Sequence, residues 1–293
     1  MPTPHKSGFV SIVGKPNVGK SSLMNRLVGE NLSIITAKAQ TTRHRIMGIL
    51  NGEDFQIVYS DTPGMLEPKY ELHEAMMSYV KVSLDDADLV LLIVELGEKF
   101  DEKLFEPLKN LATPVILLIN KIDLAKGSQV VDKIAYWKDL IKAVEIIPVS
   151  AVSGENLDTL LPIIKKYLPE HPGYYPKDDL TDRSERFFAA EMIREKIFTN
   201  YDQEIPYSSE VGIESFKEEE KIIKIRATIY VERDSQKGIL IGKGGSSLKK
   251  VGTEARKSLE SFFGKQVFLE THVKVADNWR KHRLKLKHFG YLE

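Results

Sequence analysis

The chain contains no cysteine. Disulfides and thiolate metal sites are therefore excluded, and the default expectation is a reducing, cytoplasmic compartment. Long apolar runs are missing as well. The longest, Leu89–Val94 and Val115–Ile119, suit buried strands and are too short to span a bilayer. Met1 to Gly8 carries no apolar signal core. Internal repeats and low-complexity tracts are absent. Net charge is also missing, with 42 basic residues against 42 acidic ones. What is present is a globular composition, 42% hydrophobic and 29% charged, over 293 residues. That length exceeds one typical core, so two domains are expected.

The zero net charge hides an asymmetry. From Lys237 to Glu293 there are 13 Lys and Arg against 5 Asp and Glu, a surplus of +8, which leaves 29 against 37, or −8, for the other 236 residues. A basic tail on an acidic body suggests a polyanion partner, most simply nucleic acid. A solvated basic helix would give the same count.

Gly14, Lys15, Pro16, Asn17, Val18, Gly19, Lys20 and Ser21 spell G-x-x-x-x-G-K-[ST]. The apolar stretch Phe9–Val13 precedes them as a strand, and Ser22 opens a segment of helical spacing, Ser22–Leu27. A glycine-rich turn before a core helix would share part of this pattern, but the strand and the Lys-Ser pair favour a phosphate-binding loop. Its glycines let successive N–H groups face one phosphate, and the helix start adds the positive end of a dipole. Lys20 supplies charge to the β- and γ-phosphates, and the Ser21 hydroxyl is placed to ligate Mg2+.

Further motifs fall at strand ends. Arg45–Leu50 and Phe55–Ser60 read as a strand pair around Asn51-Gly52, and the second runs into Asp61-Thr62-Pro63-Gly64. This D-x-x-G sets a carboxylate near the metal and a glycine N–H near a γ-phosphate. Val115–Asn120 ends in Asn120-Lys121-Ile122-Asp123. Guanine offers N1–H and N2–H2 donors that the Asp123 carboxylate can accept, whereas adenine does not. Two charge-assisted bonds of ~1.5–3 kcal/mol each give a discrimination of roughly 10²–10⁴. Asn120 can bridge the base and the phosphate loop, and the Lys121 stem can cover the ring. After the strand Glu145–Val149 come Ser150-Ala151, where the Ala151 N–H could donate to guanine O6. Helices are expected over Glu71–Leu84, Asp101–Leu111, Gln129–Val144 and Asn156–Leu168. Alternating strands and helices with polar motifs at strand C-termini describe an open, doubly wound, mostly parallel α/β sheet.

Taken in order, G-K-P-N-V-G-K-S, Gln40-Thr41-Thr42-Arg43, D-T-P-G, N-K-I-D and S-A resemble the Era-type GTPases, translation-factor-related enzymes that cleave GTP to GDP and phosphate. The resemblance makes Thr42 the threonine that joins Mg2+ beside Ser21 and Asp61, with Thr41 as the neighbouring candidate. It makes Lys20, Thr42 and Gly64 the catalytic set. It also compares Asn17 with the asparagine that supports K+ in related GTPases. Many GTPases place Gln directly after D-x-x-G to orient water. Met65 stands there, followed by Leu66, so another group, an ordered water, a monovalent cation or a partner must serve. His44 reads as a surface residue.

His171–Pro176 breaks the pattern with two prolines and a glycine. Beyond it the expected order is helix (Arg183–Tyr201), strand (Tyr207–Phe216), strand (Ile222–Glu232), helix, helix (Ser246–Phe263) and strand (Gln266–Val275). Between the two helices lies Ile241-Gly242-Lys243-Gly244-Gly245. The loop and the order resemble a type II KH domain, an α+β RNA-binding fold. Its glycines let backbone approach a sugar-phosphate chain, and Ile239, Leu240 and Ile241 are the expected apolar lining for about four unstacked bases.

The layout implied is a P-loop GTPase domain at 1–172, a linker at 173–182 and a KH domain at 183–293. By resemblance such a protein is a monomeric GTP-controlled switch. It binds the 3′ end of 16S ribosomal RNA, assists small-subunit assembly, and makes at most peripheral contact with the inner face of the membrane. The competing readings are an RNA chaperone with a merely structural nucleotide site and a membrane-associated signalling GTPase.

Overall fold

The computed structural model describes residues 5–109 and 111–292. Its elements run β1 (Lys6–Val13), α1 (Lys20–Val28), β2 (Ile46–Asn51), β3 (Phe55–Asp61), α2 (Glu71–Asp85), β4 (Leu89–Glu95), α3 (Glu102–Lys109), β5 (Val115–Asn120), α4 (Gln129–Lys138), β6 (Glu145–Pro148) and α5 (Leu160–Tyr167). There follow α6 (Glu185–Asn200), α7 (Ile205–Ser208), β7 (Glu210–Glu218), β8 (Ile222–Val231), α8 (Asp234–Ile241), α9 (Ser246–Phe263), β9 (Gln266–Val275) and α10 (Arg283–His288). The chain clusters into two compact units, Met1–Lys69 with Met76–Asp182, and Tyr70–Ala75 with Arg183–Glu293.

In the first unit, β4 and β5 are near-continuous runs of Val, Ile and Leu, the composition of strands covered on both faces. They sit inside a six-stranded sheet ordered β2-β3-β1-β4-β5-β6, parallel except for β2. Val80 and Leu84 of α2, Phe105 and Leu108 of α3 and Trp137 of α4 pack with Val90, Leu92, Val94 and Leu117 into one core. Because β1, β3 and β5 are parallel neighbours or near-neighbours, their C-terminal ends bring Gly14, Asp61 and Asn120 to the same edge.

Two expected helices end differently. The third was expected to reach Leu111; α3 is described to Lys109, and Asn110 lies outside the described residues. The fourth was expected to reach Val144 but stops at Lys138, where the Leu140 and Ile141 N–H groups both turn onto the Trp137 carbonyl. That turn lets Trp137 and Ile141 enter the core together and sends the chain back towards β6. Residues 173–182, expected as a linker, lie along β2 and β3. Gln56 Oε1 accepts the Tyr174 and Tyr175 N–H groups at 2.6 and 2.9 Å, and Ile49 N–H donates to the Leu180 carbonyl at 2.8 Å.

The second unit holds a three-stranded sheet, β7-β8-β9, antiparallel then parallel. Ile193 and Ile197 of α6, Leu240 of α8, and Val251 and Ala255 of α9 pack on Ala227, Ile229 and Val231 of β8. The expected strand from Tyr207 begins three residues later, at Glu210. The Ser208 and Ser209 hydroxyls bond back to the Glu204 and Ile205 carbonyls and close a helical turn first. The spans Ser246–Phe263 and Gln266–Val275 are as the sequence implies.

Candidate functional site

In the first unit, the loop between β1 and α1 borders a cavity of about 350 Å3. Pro16, Asn17, Gly19, Lys20, Ser21, Ser22, Thr42, Gly64 and Lys121 contribute to its walls. Lys20 is 6% exposed, and its Nζ donates to the Gly14 and Lys15 carbonyls at 3.2 and 2.8 Å. Burial lowers its pKa from the ordinary 10.5 to about 8, and the charges of Asp61 and Glu98 oppose that shift. Gly64 approaches the loop so closely that a Cβ would lie 2.6 Å from Pro16 Cγ, so only glycine fits without movement.

Ser21 stands at the start of α1 with two oxygen partners. Its hydroxyl donates to Asp61 Oδ2 at 2.6 Å and lies 2.9 Å from Thr42 Oγ1. Asp61 is fully buried, and its Oδ1 has no hydrogen-bond partner among the described residues. Burial pushes its carboxyl up, while the Ser21 hydroxyl and the Lys20 charge act the other way. Thr41, adjacent to Thr42, is turned elsewhere: its hydroxyl meets Thr36 Oγ1 at 2.6 Å and the Lys38 carbonyl at 2.8 Å. Three hard oxygen donors and an orphaned carboxylate oxygen match what Mg2+ takes, one or two carboxylates or hydroxyls with open positions left for phosphate.

The residues expected to read the base converge on one another. Asn120 Nδ2 donates to the Val18 carbonyl at 2.7 Å, and Asn120 Oδ1 accepts the Ala151 N–H at 2.9 Å. The Ala151 N–H, expected to face a guanine carbonyl, is thus taken up by Asn120. Ser150 Oγ donates to Asp123 Oδ1 at 2.6 Å, which orients the exposed Asp123 carboxylate. Lys121 pairs with Glu95 at 2.5 Å. Asn17 Nδ2 donates to the Ala37 carbonyl at 3.0 Å.

Several residues in and around these motifs are buried. Thr62 is fully buried and its hydroxyl donates to the Ile12 carbonyl at 2.8 Å, so it serves the strand pair. Pro63 beside it is buried too. His44, expected at the surface, is 8% exposed, its ring 5.9 Å from that of Tyr79. Met65 is 5% exposed in the core, with its N–H on the Gly14 carbonyl at 3.0 Å; its side chain therefore cannot attend to a phosphate.

In the second unit, Gly242, Gly244 and Gly245 have φ of 74°, 60° and 80° between α8 and α9. No heavy atom lies within 4 Å of where a Cβ would stand at Gly244 or Gly245, so conformation alone demands glycine there. Lys243 is exposed. Of the apolar lining expected, Ile239 is 53% exposed, Ile241 packs partly against the core, and Leu240 is fully buried in it. Leu240 therefore cannot face a ligand. A groove of about 360 Å3 opens instead between α9 and β9, lined by Gly245, Leu248, Lys249, Gly252, Thr253, Arg256, Leu269 and Thr271. The helical members recur at spacings of three and four residues after the glycine turn, a signal present in the sequence.

Comparison with known proteins agrees with this geometry. Residues 9–121 match the family described as 50S ribosome-binding GTPases, and residues 204–280 match the KH domain. A crystal structure of Era in complex with MgGDPNP and nucleotides 1506–1542 of 16S ribosomal RNA is 40% identical. It covers 99% of this chain and 100% of its own, with a TM-score of 0.92. The chain belongs to the Era-type GTPases. A variant of Aquifex aeolicus Era bound to GDP and AlF4− is likewise 40% identical, covering 98% and 100%, with a TM-score of 0.92. The Era-type fold thus extends over both units, and GTP is the substrate of the family. No helix among the described residues is long and apolar enough to cross a membrane.

Proposed function

We propose that this Era-type GTPase binds the 3′ end of 16S ribosomal RNA in its second unit, hydrolyses GTP in its first, and assists assembly of the small ribosomal subunit. The observation that carries the reading is the meeting of Ser21, Thr42 and Asp61 beside Lys20. It is joined to a whole-chain likeness to a protein solved with that RNA and a GTP analogue.

On this reading the backbone from Gly14 to Gly19 cradles the phosphates, and Lys20 offsets charge on the β- and γ-groups. Gly64 N–H faces the γ-phosphate, and Asp123 with Asn120 selects guanine. Ser21, Thr42 and Asp61 would hold Mg2+, which supplies positive charge to the β- and γ-oxygens when bound. K+ is a second cation of the site, with the Asn17 amide oxygen as its donor, since the amide nitrogen is already on Ala37. No side chain is named as general base; catalysis rests on position and charge. The RNA lies along Gly242–Gly245 and the α9–β9 groove, with Ile239 at its edge and Lys243 and Lys249 near the phosphates. The protein acts as a cytoplasmic monomer, and any contact it makes with the inner membrane face is peripheral.

The test is turnover together with RNA capture. Magnesium-dependent release of phosphate from GTP, and retention of a 16S 3′-end fragment, are expected of one purified chain. Retention without turnover would favour an RNA chaperone with a structural nucleotide site.

A further inference from the structure

Glu98 lies in the turn from β4 to α3 and belongs to none of the nucleotide motifs, yet it is 7% exposed. Its Oε2 accepts the Glu95 N–H at 3.3 Å, while its Oε1 is buried without a hydrogen-bond partner among the described residues. Burial pushes this carboxyl up, against the pull of Lys15 and Lys20. A half-satisfied buried carboxylate costs stability, so packing alone does not account for it.

The charge that Oε1 faces is Lys15, the second residue of the phosphate loop, at 3.7 Å. Lys15 Nζ is also 3.7 Å from Asp101 Oδ2, 3.5 Å from the Lys99 carbonyl and 5.4 Å from the centre of the Phe105 ring. Lys15 is absent from the walls of the nucleotide cavity. Its side chain instead fastens the loop to the β4–α3 turn.

That turn is itself fixed. Lys133 of α4 donates to the Glu98 carbonyl, and Tyr136 Oη accepts the Phe100 N–H at 3.0 Å. The Phe100, Phe105 and Trp137 rings meet at 5.5 to 5.9 Å. Glu95, three residues before Glu98, holds Lys121 of the base-reading motif. The end of β4 and the turn after it therefore hold both the phosphate loop and the 120–123 loop.

We propose that Glu98 is a positioning residue of the nucleotide site: with Asp101 it holds the Lys15 ammonium against the β4–α3 turn and so keeps the Gly14–Gly19 backbone in its phosphate-cradling form. The inference rests on the reading that this loop binds GTP. It adds a residue that no phosphate-loop motif includes, acting through a lysine that does not face the cavity.

The test is a double-mutant cycle on the full chain, read by GDP and GDPNP affinity and by thermal melting of the empty protein. Glu98→Gln removes a buried charge, so melting is expected to stay level or rise. Affinity for both nucleotides should nevertheless fall about tenfold, the lower end of what removal of a supporting residue behind a site costs. Glu98→Asp, which keeps the charge, should recover part of the loss. In a Lys15→Met background Glu98→Gln should cause no further loss, because the route to the loop is already cut. Asp101→Asn, at a more exposed position, should show the same non-additivity with a smaller effect, and it carries the test if Glu98→Gln does not fold. Wild-type affinity in Glu98→Gln, or losses that multiply in the double variant, would overturn the proposal. Failure of the wild-type protein to bind either nucleotide would instead overturn the GTP reading beneath it.

Discussion

On the functions proposed for them, the nucleotide site and the groove of the second unit hold phosphate in different ways. The first is built from side chains that find one another across several loops. Ser21 meets Asp61 and Thr42, Asn120 spans from Val18 to Ala151, and Ser150 steadies Asp123. The second joins a turn of three glycines at positive φ to a groove whose helical wall includes one more, Gly252, facing β9 from within α9. A site made of interlocked side chains reads the chemistry of its ligand in detail and loses function sharply when one member goes. A site made of open backbone and a few lysines takes a polymer of repeating charge and should lose affinity in smaller steps.

Substitutions can sharpen or break that contrast. The largest effect is expected at Asp123. Asp123→Asn exchanges an acceptor for an amide that can donate to the 2-oxo group of xanthine. The preference between GTP and xanthosine triphosphate should shift by roughly 10²–10⁴, measured by competitive titration. Unchanged guanine affinity would take N-K-I-D out of base recognition.

Next come Lys20→Ala and Ser21→Ala. Each removes charge or a ligand where charge develops, so steady-state turnover should fall about 10²–10³-fold or more. Melting should hold. Wild-type turnover by either would remove the phosphate loop from the mechanism.

At the glycine turn beside the groove, Lys243→Asp with Gly244→Asp places two carboxylates where the proposed RNA backbone would approach. Affinity for a single-stranded 16S fragment should drop on the order of 100-fold at low salt, with nucleotide affinity unchanged. The wild-type affinity should itself fall with salt, at a slope of roughly −0.7 per phosphate contacted. Undiminished binding by the double variant would place the RNA elsewhere.

The smallest effect on chemistry is expected at Met65→Ala. The side chain packs in the core and its N–H is on Gly14, so turnover per folded molecule should change only slightly. Stability should fall by about 2–5 kcal/mol, seen in denaturant melts. A large loss of turnover at unchanged stability would give Met65 a role that its burial argues against.

The same contrast explains what was legible in the sequence. Phosphate and guanine impose residue identities at fixed spacings, so Gly14–Ser21, Asp61–Gly64 and Asn120–Asp123 stand out before any folding is considered. The strands β4 and β5 announce themselves by continuous apolar runs with no helical period. Thr41 and Thr42 could not be told apart from the residues alone, because they carry the same hydroxyl one position apart. The path of the backbone separates them, sending Thr41 to Thr36 and Lys38 and Thr42 to Ser21. In the second unit the fold divides the apolar triplet Ile239–Ile241 and leaves Ile239 exposed. Leu240 belongs to the core, and the groove runs along the α9 face that begins at Gly245. Glu98 has no motif at all; only the folding of the β4–α3 turn behind Lys15 gives it a place.

The central claim is that one chain joins a nucleotide switch to an RNA site, and it is tested most directly by RNA affinity in the two nucleotide states. Residues 33–44 and 61–66 are the segments expected to answer to a γ-phosphate. A short 16S 3′-end fragment should therefore bind more tightly to the protein loaded with GDPNP than with GDP, by ~5–150-fold, the usual range for a coupling of 1–3 kcal/mol. Linkage requires the RNA to favour GDPNP over GDP by the same factor. Equal RNA affinity in both states would mean that the two activities are merely carried on one chain, and the switch would have to be given up.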